Sequence, residues 1–180
     1  MKMRVFLTIL VLLLSIAAFA QDKPPMDLPV YPGGEPGMEV NLSNEDILPM
    51  VKVMFPMLAG KLGSAAQNIA PEDVATIFTD VKRIQVLQLD VAKPEVTESD
   101  ITTYYGKNLP SGSWTRVFWQ SAPKVGTVAI YALGGGESIY GFRVRTVSND
   151  GKPAKRVEIF KTEGKIDFAK LLIMAGKFIH

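Results

Sequence analysis

The sequence has no cysteine among its 180 residues and a single histidine. Without thiols there is no disulfide, no thiolate metal site and no cysteine nucleophile. The cysteine that carries the lipid of a tethered bacterial lipoprotein is missing too. His180 stands at the end of the sequence, where chains tend to fray. A Ser-His-Asp triad therefore lacks its base, and zinc lacks a donor cluster. No metal site and no cofactor are expected.

Net charge is almost absent once the start of the chain is set aside. Lys2 and Arg4 head an apolar run from Val5 to Ala18, broken by Thr8 and Ser15, and Ala18-Phe19-Ala20 is a small-x-small cleavage site. This is the three-part pattern of a secretory signal peptide, shorter than the ~20 apolar residues of a membrane anchor. The leader holds two of the 20 basic residues and none of the 18 acidic ones, leaving 18 against 18. A neutral chain has no electrostatic footprint for nucleic acid. The expectation is an exported chain, periplasmic or secreted, cut after Ala20, with no stable membrane anchor afterwards. Lacking disulfides, it must hold together through its core.

Residues 1–20 thus read as signal peptide, 21–42 as a proline- and glycine-rich linker or arm, and 43–180 as a single domain. The arm, DKPPMDLPVYPGGEPGMEVN over 22–41, has five prolines and three glycines. Proline stiffens such a segment and removes ladder donors. Leu28, Val30, Tyr31 and Met38 leave open that part of it lies on the domain.

Helix signals follow. Ser43 with Asp46 predicts a capped start, and Ile47, Val51, Met54, Phe55, Leu58 and Leu62 recur at helical spacing. Pro56 in the interior predicts a bend or break. Met50, Met54 and Met57 form a second stripe that reads as core filling. Pro71 opens a short helix to about Thr79. Thr97 with Asp100 caps another, to about Leu109. VKRIQVLQLDVA, 81–92, reads as an interior strand, apolar on both faces.

From Trp114 the period switches to two. WTRVFWQS, VGTVAIYAL, ESIYGFRVRTV and AKRVEIFKT are four strands joined by short turns at 122–124, 134–136 and 149–151. A helix from about Asp167, with Phe168, Leu171, Leu172, Ala175, Phe178 and Ile179 on one stripe, closes the chain. The expected fold is α+β and two-layer: a mainly antiparallel sheet of about five strands, helices on one face, one parallel pairing left open.

The stretch FKTEGKIDFAKLL, 160–172, has the strand–glycine–helix order of a phosphate loop. Such a loop needs several glycines and free amides at the helix start. Here Asp167 occupies that place and repels phosphate, so Gly164 reads as a turn residue and Asp167 as a cap. The tail GKIDFAKL, preceded in order by IQVLQLDV, WTRVFW, VAIYAL and SIYGFRV, resembles the exported bacterial domain-of-unknown-function family numbered 4252, over roughly residues 43–178. Many members of that family are lipoproteins, and this sequence departs in lacking the cysteine. The family has no established activity, so the resemblance implies no functional residue.

Three acidic clusters, Asn44-Glu45-Asp46, Glu72-Asp73 and Glu98-Ser99-Asp100, have the residue types for glycosidase or calcium chemistry. Each falls in the first turn of a predicted helix, where carboxylates complement the dipole, so capping explains all three. Asn41-Leu42-Ser43 matches a glycosylation sequon but reads as a cap, and Gly134-Gly135-Gly136 reads as a hairpin loop. The strands place Val117, Trp119, Val128, Ile130, Tyr140, Phe142, Val144, Val157 and Ile159 on a packed face. On the opposite face the reading puts Trp114, Arg116, Phe118, Tyr131, Arg143, Arg145, Arg156, Glu158 and Phe160. Arginine mixed with aromatics suits protein interfaces and anionic or stacked ligands. Trp114, Arg116, Tyr131, Arg143, Arg145 and Arg156 are therefore the candidate binding residues, beside the plain reading of a solvated face with cross-strand Arg–Glu pairs. The function this favours is a non-catalytic binding or interaction module of the cell envelope, with an unknown envelope protein or a small ligand as partner. The alternatives are a small carboxylate-dependent envelope enzyme and a structural protein that self-associates, for instance as a homodimer. Amino-terminal sequencing of the exported protein is expected to start at Gln21; a start at Met1 would restore the leader as an anchor.

Overall fold

The computed structural model describes residues 27–62, 69–123, 125–149, 151–167 and 170. Strand β1 (Glu35–Ser43) leads into helix α1 (Asn44–Leu62) and the short helix α2 (Pro71–Ala75), which a 3-10 turn (Thr76–Phe78) extends. Strand β2 (Asp80–Val91) and helix α3 (Glu98–Lys107) follow. The chain then makes β3 (Trp114–Ala122), β4 (Gly126–Leu133), β5 (Ser138–Asn149) and β6 (Lys152–Lys165). The six strands form one α+β sheet in the order β1-β2-β6-β5-β4-β3, and every pairing is antiparallel. No parallel pair joins β2 to the sheet: β6 returns beside it in the opposite sense.

The four hairpin strands stand within a few residues of their predicted positions, because period-two alternation and glycine turns mark them. Gly151 has φ +78°, and the three glycines of the β4–β5 turn are also left-handed. The strand count exceeds the expectation by one. Part of the segment read as an arm is β1, paired with β2 from Glu35↔Asp90 to Ser43↔Arg83. Pro36 and Gly37 hid it, and the ladder accommodates them with a register shift between Pro36 and Met38.

Helices lie on both faces of the sheet, not on one. Ile47, Val51 and Phe55 of α1, Val74 of α2, and Ile77 and Phe78 cluster with Val40, Leu42, Ile84, Val86, Val128, Ile130 and Phe160. Ile101 and Tyr105 of α3 cluster with Leu87, Leu89, Tyr131, Tyr140, Phe142, Val144, Val157 and Ile159, together with Leu28 of the arm. The reason is in the strands. β2 alternates Ile84 and Val86 against Leu87, Leu89 and Val91, all nearly fully buried, so either face left bare would expose apolar area at ~25 cal/mol per Å². The β1–β2 connection covers one face. The β2–β3 connection crosses the other and carries the chain to the far edge.

Local signals behave as the residues predict, with two exceptions. The backbone amide and hydroxyl of Ser43 both donate to Asp46 Oδ2, at 2.9 and 2.7 Å, and Thr97 with Asp100 forms a complete capping box. However, α1 runs unbroken through Pro49 and Pro56. Gly164 is not a turn residue either: it remains in β6, paired with Val81, at φ +94°. A Cβ there would collide with the Asp80 carbonyl, so a close backbone approach fixes the glycine. Asp167 Oδ1 accepts from Lys170 N at 3.0 Å, as a cap does. The rest of the predicted final helix lies outside the described residues, as do the side chains of Met54 and Met57; Met50 is in the core.

Replacing Asp100 with Ala is expected to lower stability through loss of the capping box. Urea unfolding would show it as a lower midpoint at unchanged slope; an unchanged midpoint would remove the box from the stability account.

Candidate functional site

The six sequence-selected residues do not form one surface. Residues paired across an antiparallel ladder share a face, so the registers place each side chain. Arg143 pairs with Glu158, and Arg145 with Arg156, as expected. But Arg143 pairs on its other side with Val128, which puts the three arginines on the face covered by α1 and α2. Tyr131 pairs with Tyr140 and with Arg116, and Trp114 contacts the Tyr140 ring at 6.0 Å. Trp114, Arg116 and Tyr131 therefore lie on the α3 face. Two features hid this. β4 is buried on both faces over Gly126–Tyr131 and so has no alternation to read. In β3 the register shifts between Arg116 and Phe118, which swaps the faces of everything beyond the bulge.

The arginine set is an internal ion ladder. Arg143 Nε and Arg145 Nη2 both donate to Glu158, the latter at 3.2 Å, and Glu158 is only 4% exposed. One row further, Arg156 makes two parallel bonds of 2.8 Å to the Asp90 carboxylate. That bidentate bond, with the charge behind it, holds the Asp90 carboxyl below the usual range and raises Arg156. Two carboxylates thus engage three arginines within the sheet itself. As a pair buried at one partner, Arg143–Glu158 is costly to break by removing either side.

The residues at the other end of the sheet are the open ones. Among the described strands β3 has a neighbour on one side only. It exposes Val117 at 58% and Trp119 at 45%, and Arg116 stacks over the Trp119 ring at 5.0 Å. Next to Val117 a groove of about 490 Å³ runs past Thr115, Ala132, Ile139 and the glycine turn 134–136, whose walls are bare backbone. The opposite edge differs. β1 carries Glu35, Pro36 and Glu39 and an irregular register, the devices that blunt an edge. Sequence reading placed Val117 and Trp119 in the core because their alternation looks apolar; the bulge and the edge position expose them instead.

Two of the three acidic clusters cap: Asp46 and Asp100 accept cap bonds. At the start of α2 no side chain makes a cap bond; Glu72 and Asp73 only stand in its first turn, and Glu72 faces Lys52 at 3.2 Å. Glu98 accepts from Thr146 at 3.0 Å. The described residues contain no group of three or more His, Asp or Glu able to hold a metal. Among them, no helix is long and apolar enough to cross a membrane. No family model, no curated protein and no solved structure matches the chain.

Asp90→Asn is expected to lower stability by about 1–2 kcal/mol at neutral pH. The folded carboxyl titrates below its unfolded value. Its contribution is therefore complete above about pH 4 and is lost as pH falls through the folded pKa. Denaturation midpoints of Asp90→Asn and wild type should converge on acidification; parallel profiles would contradict the assignment.

Proposed function

We propose that the chain is an exported bacterial protein, released from its leader after Ala20, that acts in the cell envelope as a non-catalytic interaction module, in keeping with the resemblance to the family numbered 4252. The observation that carries the reading is the β3 edge: an exposed strand with Val117, Trp119 and a stacked Arg116, beside a groove deep enough for a partner side chain. Tryptophan and arginine are the residues most enriched where proteins bind. An extended segment of an envelope protein added to β3 gains main-chain hydrogen bonds along the strand, while the groove at Val117 selects one of its side chains. Trp114 and Arg116 of the sequence-selected set belong to this end of the sheet. Arg143, Arg145 and Arg156 serve as sheet ion pairs, and Tyr131, 6% exposed, serves the core.

A photo-crosslinking residue at position 117 is expected to capture an envelope protein in living cells, and one at the exposed Glu95 is expected not to. Trp119→Asp should abolish capture while leaving the protein folded, at a cost of about 1–2 kcal/mol for the lost Arg116 stacking and strand preference. Capture that persists in Trp119→Asp would refute β3 as the docking strand. A product of twice the chain's own mass would replace the reading with self-association.

A further inference from the structure

A second feature lies on the α3 face, away from β3. The registers align Asn41, Gln85, Lys161, Tyr140, Tyr131 and Arg116 in one row across all six strands. It is a polar row under an apolar cover. Gln85 is 1% exposed, and among the described residues neither its amide nitrogen nor its amide oxygen has a hydrogen-bond partner. Tyr140 is fully buried and its hydroxyl is likewise unpartnered, with burial pushing its pKa up. Each such group lacks the bond that would offset its desolvation. Two of them flank the same residue, Lys161, as direct cross-strand neighbours at roughly 5 Å between Cβ atoms.

Lys161 is also where this row meets a cavity. A cleft of about 530 Å³ lies between the arm residues Asp27–Pro29, the loop Asn108–Ser111 and Lys161. Only 11% of the Lys161 side chain is exposed, and its ammonium donates to Asp27 of the arm and approaches Glu163 at 3.5 Å. Asp27 is the exposed member of that pair, at 52%. Its own carboxyl is opposed by burial, but the bond and charge of Lys161 outweigh this and lower its pKa. Further along, the arm is held by Leu28 in the core, by Tyr31 N donating to Tyr105 Oη at 3.1 Å, and by Tyr104 Oη donating to the Val30 carbonyl at 2.8 Å. The described part of the arm is thus held at Leu28, Val30 and Tyr31, and Asp27 beside them spends its carboxylate on the cleft.

We propose that the cleft binds a small monocarboxylate with a short apolar tail, and that Asp27 is a built-in competitor occupying the carboxylate position. Lys161 supplies the charge. The Gln85 amide and the Tyr140 hydroxyl do not line the cleft; they flank Lys161 in the buried row beside it, and are the donors assigned to the ligand's oxygens once Asp27 withdraws. Leu28, Pro29, Leu109 and Pro110 provide the apolar lining for the tail. The charge balance favours a monoanion. Lys161, Arg83, Asp27 and Glu163 form one linked set of ion pairs at the cleft. They sum to zero with Asp27 in place and to a single positive charge without it. A dianion such as phosphate would leave an uncompensated charge beside Glu163. This inference does not depend on docking at β3.

The test is calorimetric titration of the purified protein with hexanoate, using hexanamide and inorganic phosphate as comparison probes. Wild type should bind hexanoate weakly and the Asp27→Asn variant about tenfold more tightly, because one charge-assisted bond no longer competes. Tyr140→Phe, which keeps the ring packing, should weaken hexanoate binding several-fold in the Asp27→Asn background, and Lys161→Met should abolish it. Equal affinity in wild type and Asp27→Asn, equal binding of hexanamide, or phosphate binding more tightly than hexanoate would each overturn the proposal. If Lys161→Met does not fold, the Asp27→Asn and Tyr140→Phe comparison decides alone.

Discussion

The constraint on which the structure depends is that the central strands are apolar on both faces. A sheet with one solvated face needs helices on one side only, and its strands read as clean alternation. Here β2, β4, β5 and β6 all bury side chains on both sides. Two covers are therefore required, and the topology supplies them from its two long connections. One holds α1 and α2, the other α3. The second cover is short, ten residues of helix, and the arm completes it. Leu28, Tyr31 and their tyrosine contacts are part of the core, although they precede the first strand.

The strands and caps were legible in the sequence because their causes are local. Alternation, glycine turns and a Ser or Thr three residues before an acid are read within a few positions. The relation between strands was not, because it is set by pairing. In β4, GTVAIY has Thr127 as its only clearly polar side chain, and that residue is buried, so no alternation marks a face; in β3 the bulge at Val117 reverses the faces without leaving any trace in composition. The outcome is that Arg143, Arg145 and Arg156 were placed together correctly but joined to the wrong partners. Trp114, Arg116 and Tyr131 lie on the opposite side of the same sheet. β1 was missed for another reason: proline and glycine argue against a strand interior, and only an edge position tolerates them.

Charge in the described domain is mostly spent internally. Asp46 and Asp100 satisfy helix starts, Asp90 and Glu158 hold the arginine ladder, and Asp27 and Glu163 face Lys161. The uncharged polar groups are less completely provided for. Gln85 and the Tyr140 hydroxyl sit in the core without partners among the described residues, next to a lysine held by a residue from outside the sheet. The contrast falls where Asp27 of the arm meets Lys161, in a segment that composition marked only as a spacer.

The two edges of the described sheet are unequal. β3 presents an exposed strand, whereas β1 carries Glu35, Pro36, Glu39 and an irregular register, which disfavour a further strand. On the docking proposed above, a segment added to β3 would therefore be the last strand of that sheet. Two copies meeting edge to edge would consume both open edges. Addition through β3 would be self-limiting, one segment per chain.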